Sequence, residues 1–148
     1  MIWAVGSDHA GFELADGLSG WLAERGNRVI RVGAEGKDPY DYPDAADALA
    51  PIILSGQAEF GILVCGSGIG ICIRANRHPG IRAAQVWNEE TAALAREHNQ
   101  ANVICLGARL LGLELAKNIV ESWVGASVDR ADRHVRRVQK LDGPLELL

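Results

Sequence analysis

The run Phe60-Gly61-Ile62-Leu63-Val64-Cys65 constrains this chain most, because no position in it is polar. A strand with one face in water alternates apolar and polar residues. A strand covered on both faces reads as an unbroken apolar run. Four further short runs, often β-branched, share this character: Ile2–Gly6, Arg28–Val32, Ile81–Val86 and Val103–Gly107. Segments with helical spacing follow them at Gly11–Glu24, Ala45–Leu54, Gly70–Asn76, Glu89–Glu97, Leu113–Val124 and Arg133–Leu141. The alternation predicts an α/β three-layer sandwich with a five-stranded parallel sheet covered on both sides. Pro51 predicts that the second helix is kinked, split or shorter than these bounds. A length of 148 residues suits one domain over residues 1–148, with no repeat or linker in it.

A net charge of −4 disfavours nucleic acid as a partner, since a phosphate backbone needs a basic surface. One segment runs against that average: Arg130, Arg133, Arg136, Arg137 and Lys140 stand against Asp129 and Asp132. It reads either as a solvated helix face or as a small-anion site. Cys65, Cys72 and Cys105 cannot all pair, and each adjoins an apolar run, as reduced thiols do. His9, His78, His98 and His134 have no metal-ligand spacing with these cysteines. The opening Ile2-Trp3-Ala4-Val5 follows no basic n-region, and no apolar run reaches the ~20 residues of a membrane span. No secretory signal and no membrane partner are therefore expected, and a cytoplasmic location is.

Ligands of open parallel sheets bind beyond the carboxyl ends of the strands. Ser7-Asp8-His9-Ala10-Gly11 follows the first strand, and Asp41-Tyr42-Pro43-Asp44 closes the loop after the second. Gly66-Ser67-Gly68-Ile69-Gly70 follows the third, while His98-Asn99 and Arg109 flank the fifth. These groups are expected to converge on one edge of the sheet. The glycine loop spaces its glycines as G-x-G-x-G, which is neither a dinucleotide fingerprint nor a Walker loop. Its N–H groups can converge on an anion, or the loop is simply a tight turn.

Cys65 precedes that loop. A free thiol titrates at about 8.5, and lower beside a helix N-terminus or a cation, so Cys65 is a candidate base or nucleophile. The alternative is a buried, inert strand-end cysteine, the class to which Cys72 and Cys105 are assigned. Asp8 reads as a proton-transfer group or as a cap for the first helix, and His98 as a proton carrier or a complement to a helix dipole. Arg133 and Arg137 are four residues apart and share a helix face, with Arg130 and Lys140 roughly on the same stripe. Paired arginines suit a phosphate dianion. Together these parts suit proton abstraction next to a carbonyl in a phosphorylated sugar. The residues alone leave open whether the loop holds the phosphate or an enediolate.

The segments Gly6–Gly11, Asp41–Asp44, Cys65–Gly70, Pro79–Ala84, Glu97–Asn99, Ala101–Val103 and Gly112–Ala116, in this order, resemble the ribose/galactose isomerase family, and its type B ribose-5-phosphate isomerases in particular. The resemblance implies a Rossmann-like sheet and a homodimer or dimer of dimers, with sites at the subunit interface and a C-terminal helix reaching the partner. It implies no metal or organic cofactor. Cys65 would shuttle the proton between C1 and C2, and Ser67 would move the hydroxyl proton. N–H groups around Gly66 and Gly70 would hold the enediolate. Asp8 and His98 would assist ring opening, and Tyr42 and Asn99 would contact the sugar. His9, Arg109, Arg133 and Arg137 would bind the phosphate. Ile71 stands where one branch of the family has a glutamate base, which implies the cysteine type, and Arg74 adds a charge near the site. The implied reaction interconverts D-ribose 5-phosphate and D-ribulose 5-phosphate in the pentose phosphate pathway. The alternatives are the same chemistry on erythrulose 4-phosphate, allose 6-phosphate or galactose 6-phosphate, or a non-catalytic sugar-phosphate-binding subunit of this fold.

Overall fold

The computed structural model describes residues 1–145. Five strands, β1 (Ile2–Ser7), β2 (Arg28–Gly33), β3 (Phe60–Cys65), β4 (Ala83–Gln85) and β5 (Val103–Gly107), pair in the order β2-β1-β3-β5-β4, all parallel. The helices are α1 (Phe12–Glu24), α2 (Tyr42–Leu54), α3 (Ile69–Ala75), α4 (Glu89–Asn99), α5 (Leu113–Gly125) and α6 (Asp132–Asp142). Every residue of β3 is buried, as its unbroken apolar run requires of a central strand.

Alternate residues of the strands enter two cores. Trp3, Val5, Ile62, Val64, Ile104 and Leu106 face α1, α4 and α5, where Phe60 stacks edge-on against Trp123 at 5.0 Å. Ala4, Leu63, Cys65, Val103 and Cys105 face α2 and α3. The strand period of two thus sends Cys65 to the α2/α3 side. Strand order reverses direction between β1 and β3, where Ser7 lies beside Val64. Such a switch point opens a crevice at the carboxyl ends of the strands.

Two expectations need correction. A single helix, α2, runs through Pro51, because it starts earlier than the apolar pattern suggests and Pro51 falls in its last turn. There proline forfeits one hydrogen bond, and its own carbonyl still accepts from Ser55 N–H at 3.0 Å. Arg130 precedes α6, so it does not share the helical stripe of Arg133 and Arg137. No described helix is long and apolar enough to cross a membrane.

Candidate active site

At the switch point β3 delivers Cys65 and turns at once into the glycine loop. Cys65 is buried, and the N–H of Gly68 donates to its Sγ at 3.1 Å. Gly68 has φ +78°, a left-handed conformation that side chains resist, and a Cβ there would lie 3.0 Å from the Leu106 carbonyl carbon. Gly66 and Gly70 are small for another reason. A Cβ on Gly66 would sit 2.8 Å from Nη1 of Arg109, and one on Gly70 would sit 2.5 Å from the Tyr42 ring. The two bare backbone positions let a cation and a phenol close over the loop. Arg109 is fixed by its own backbone N–H, which donates to the Gly66 carbonyl at 3.0 Å.

Neighbouring strand ends complete this cluster. Asp8 follows β1 and is buried, and its Oδ1 accepts the Gly11 N–H at 2.8 Å. That bond holds the turn ahead of α1, whose N-cap Gly11 takes no side-chain cap, and leaves the second oxygen of Asp8 outside it. His9 is exposed, with Nδ1 facing the Tyr40 N–H and carbonyl at 3.0 and 3.1 Å, so Nε2 remains outside that contact. Ser67 Oγ accepts the Ile69 N–H at 3.2 Å, and the Ser67 carbonyl accepts from Gln85 Nε2 at 2.9 Å. Gln85, at the end of β4, escaped sequence reasoning because a lone glutamine in an apolar run carries no motif. Within the single chain Asp8, His9, Tyr42, Cys65, Gly66, Ser67, Gly70 and Arg109 therefore share one edge.

The expected convergence fails for His98 and Asn99. Helix α4 runs back across the sheet and delivers them to the opposite edge, ahead of Val103. Val103 pairs with Gly61, four residues before Cys65, or about 13 Å along the strand. Helix α6 lies at that same far edge. Its approach is tied to α4 by Asp129 N–H donating to the Glu97 carbonyl at 2.9 Å, and its end by Arg82–Asp142 at 2.7 Å. Arg133 and Arg137 are exposed there, and Arg133 reaches Asp129 only at 3.8 Å. His134 stacks on His98 with ring centroids 4.4 Å apart and planes 7° from parallel. Burial pulls the His134 pKa down against the opposing pull of Asp129. A cavity of about 410 Å³ at this edge is lined by Asn76, Arg82, Asn99 and Leu141 among others, and none of the Cys65 cluster borders it.

The remaining thiols and Arg74 are structurally engaged. Cys105 is fully buried, and desolvation pushes its thiol well up, while Cys72 donates to the Ala83 carbonyl at 3.4 Å. Arg74 grips Asp47 with two bonds of 2.8 and 2.9 Å, so its charge is spent on α2.

A five-stranded parallel sheet with a thiol and a glycine loop at its switch point defines a Rossmann-like α/β protein. The sequence profile described as Ribose/Galactose Isomerase matches residues 3–141, and the chain belongs to that family. It is 43% identical over 138 residues to "Ribose-5-phosphate isomerase B" of Escherichia coli K12, covering 93% of this chain and 92% of that one. It is also 43% identical over 128 residues to "D-erythrulose-4-phosphate isomerase" of Pectobacterium atrosepticum, covering 85% and 84%. Among solved structures, a ribose-5-phosphate isomerase B of Clostridium thermocellum superposes with a TM-score of 0.92 at 43% identity, covering 96% of this chain and 95% of that one.

Proposed function

We propose that the chain is an aldose–ketose isomerase that interconverts D-ribose 5-phosphate and D-ribulose 5-phosphate through an enediolate. The observation that carries this reading is Cys65 at the switch point, its sulfur accepting the Gly68 N–H at 3.1 Å inside a loop closed by Arg109 and Tyr42. In the open-chain aldose, the Cys65 thiolate takes the C2 proton, and the electron pair moves through C1 onto the carbonyl oxygen. Backbone N–H groups around Gly66 and Gly70 hold the developing oxyanion, as preorganised donors do. Ser67 passes the 2-hydroxyl proton to O1, and Cys65 returns its proton to C1, which leaves a C2 ketone.

Ring opening falls to Asp8 and His98, sugar contacts to Tyr42 and Asn99, and phosphate binding to His9, Arg109, Arg133 and Arg137. A single protomer holds only half of this set at each edge, so the working site takes His98, Asn99, Arg133 and Arg137 from a second copy. Helix α6 is the element that brings the arginines across. A two-fold homodimer, alone or doubled, supplies both halves twice. The chain acts as one isomerase domain, and cytoplasmic sugar-phosphate metabolism is its setting.

A panel of four- to six-carbon sugar phosphates, assayed on wild type and Cys65→Ala, tests the reading. Turnover should be greatest with the pentose phosphates, and Cys65→Ala should lower it by at least about 10³-fold while sugar-phosphate binding persists. Near-normal turnover in that variant would overturn the assignment of the base. Binding without turnover in wild type would make the chain a non-catalytic subunit. The erythrulose-phosphate relative, also 43% identical but over a shorter span, favours a second reading, the same chemistry on a four-carbon substrate, which greater turnover with that sugar would establish.

A further inference from the structure

The stack beneath His98 has no assigned task. His134 rises from α6, is buried, and lies face to face with the half-buried His98 at 4.4 Å. Asp129 closes a third side, with Oδ2 at 3.4 Å from His134 Nε2. The other oxygen of Asp129 accepts the Ala131 N–H at 2.9 Å, and its main chain is bound to Glu97, so the carboxylate is held in place. Ligand atoms of His98, Asp129 and His134 lie within 4.8 Å of one another. With the rings parallel, however, their in-plane lone pairs run in parallel planes, which serves a stack better than a shared ion.

Two physical consequences follow. The His98 ring cannot turn about its own axis without losing its aromatic contact with His134. Two imidazolium rings face to face at this distance would repel, and among the described residues Asp129 is the acidic group that acts on His134. The groups acting on His134 are Asp129 from the connecting loop, Arg133 and Arg137 from α6, and His98 from α4. All but Asp129 oppose a proton on His134.

We propose that His134, backed by Asp129, is a positioning residue for ring opening: it fixes the plane of the His98 imidazole. The inference rests on the ring-opening role of His98 given above. Substrate chemistry supplies a selective test. Ribose 5-phosphate closes into a furanose through its 4-hydroxyl. In ribulose 5-phosphate the oxygen that would close the ring carries the phosphate, so the ketose is open-chain and needs no opening.

Initial turnover rates and solvent-deuterium exchange at C1 of ribulose 5-phosphate are measured for wild type, His98→Asn, His134→Ala and His134→Phe in the full chain. The reaction equilibrium makes kcat/KM change by one factor in both directions, so exchange, which stops at the enediolate and needs no ring opening or closure, is the selective readout. His98→Asn and His134→Ala should lower isomerisation about 10- to 100-fold and leave the exchange within about twofold. His134→Phe keeps an aromatic face, so it should restore isomerisation and move the acid limb of its pH profile. Equal losses of isomerisation and exchange for His134→Ala would mean a displaced α6 and its phosphate arginines, a merely structural role that overturns the inference. Wild-type behaviour of both His134 variants beside a His98→Asn that loses isomerisation alone would also overturn it and leave the isomerase reading intact. If His98→Asn loses both equally, the ring-opening role fails, and the inference with it.

Discussion

At the scale of single residues, the loop after Cys65 shows how absent side chains shape a site. Gly70 is bare because the Tyr42 ring occupies the place of a Cβ, at 2.5 Å. Tyr42 is exposed, so it can swing away from an added methyl at small cost in packing. Gly70→Ala should therefore change stability by less than about 1 kcal/mol, helped by the better helix propensity of alanine. It should nevertheless lower kcat/KM on the order of tenfold, because Tyr42 no longer caps the loop. Denaturant melts and steady-state kinetics on the same variant check both halves. A loss of stability with unchanged kinetics would mean that the contact is packing alone.

Between elements, the Asp47 cluster clamps α2 to α3, the layer against which Cys65 packs. The Arg74 hydrogen bonds, and next the His78 contact at 2.7 Å, lower the Asp47 pKa from its ordinary 3.8 to about 2. Because the folded value lies below the unfolded one, this pairing stabilises the fold above about pH 4. The contribution disappears as pH falls from 3.8 through about 2. The groups are partly exposed, so solvent keeps the effect small. Asp47→Asn should lower Tm on the order of 2 °C at pH 7, with the difference vanishing near pH 2. Thermal melts across pH decide this, and a difference that persists at the lowest pH would assign it to packing.

For the whole molecule, the decisive feature is that the Cys65 group and the His98–Arg137 group, the two halves of the proposed site, lie at opposite edges of one sheet. Cys65→Ala and Arg137→Ala should each be nearly inactive with phosphorylated sugars. If the site is shared between copies, a mixed dimer of the two variants contains one intact site. Unfolding and refolding an equal mixture should then recover about a quarter of wild-type activity in a two-fold dimer. Activity no higher than the sum of the separate variants would place both groups in a single protomer's site.

Much of this was legible in the order of residues. The apolar run Phe60–Cys65 required a strand covered on both faces, and β3 is that strand, ending at Cys65. The glycine loop, Asp8, His9, Tyr42 and Arg109 follow strands, and the parallel sheet gathers them at one edge because every strand ends there. His98 and Asn99 looked equivalent because they also adjoin a strand. They precede β5 instead of following it, so the return path of α4 carries them to the far edge. Local spacing cannot reveal the stack of His134 on His98 either. The two residues lie on different helices, α6 and α4, and meet only where those helices pack. Sequence alone determined the strands, the turn chemistry and the place of Cys65 at a strand end before the glycine loop, since these depend on side-chain period and on glycine. Which groups face one another was decided by tertiary structure, because distance across a sheet depends on chain direction and packing.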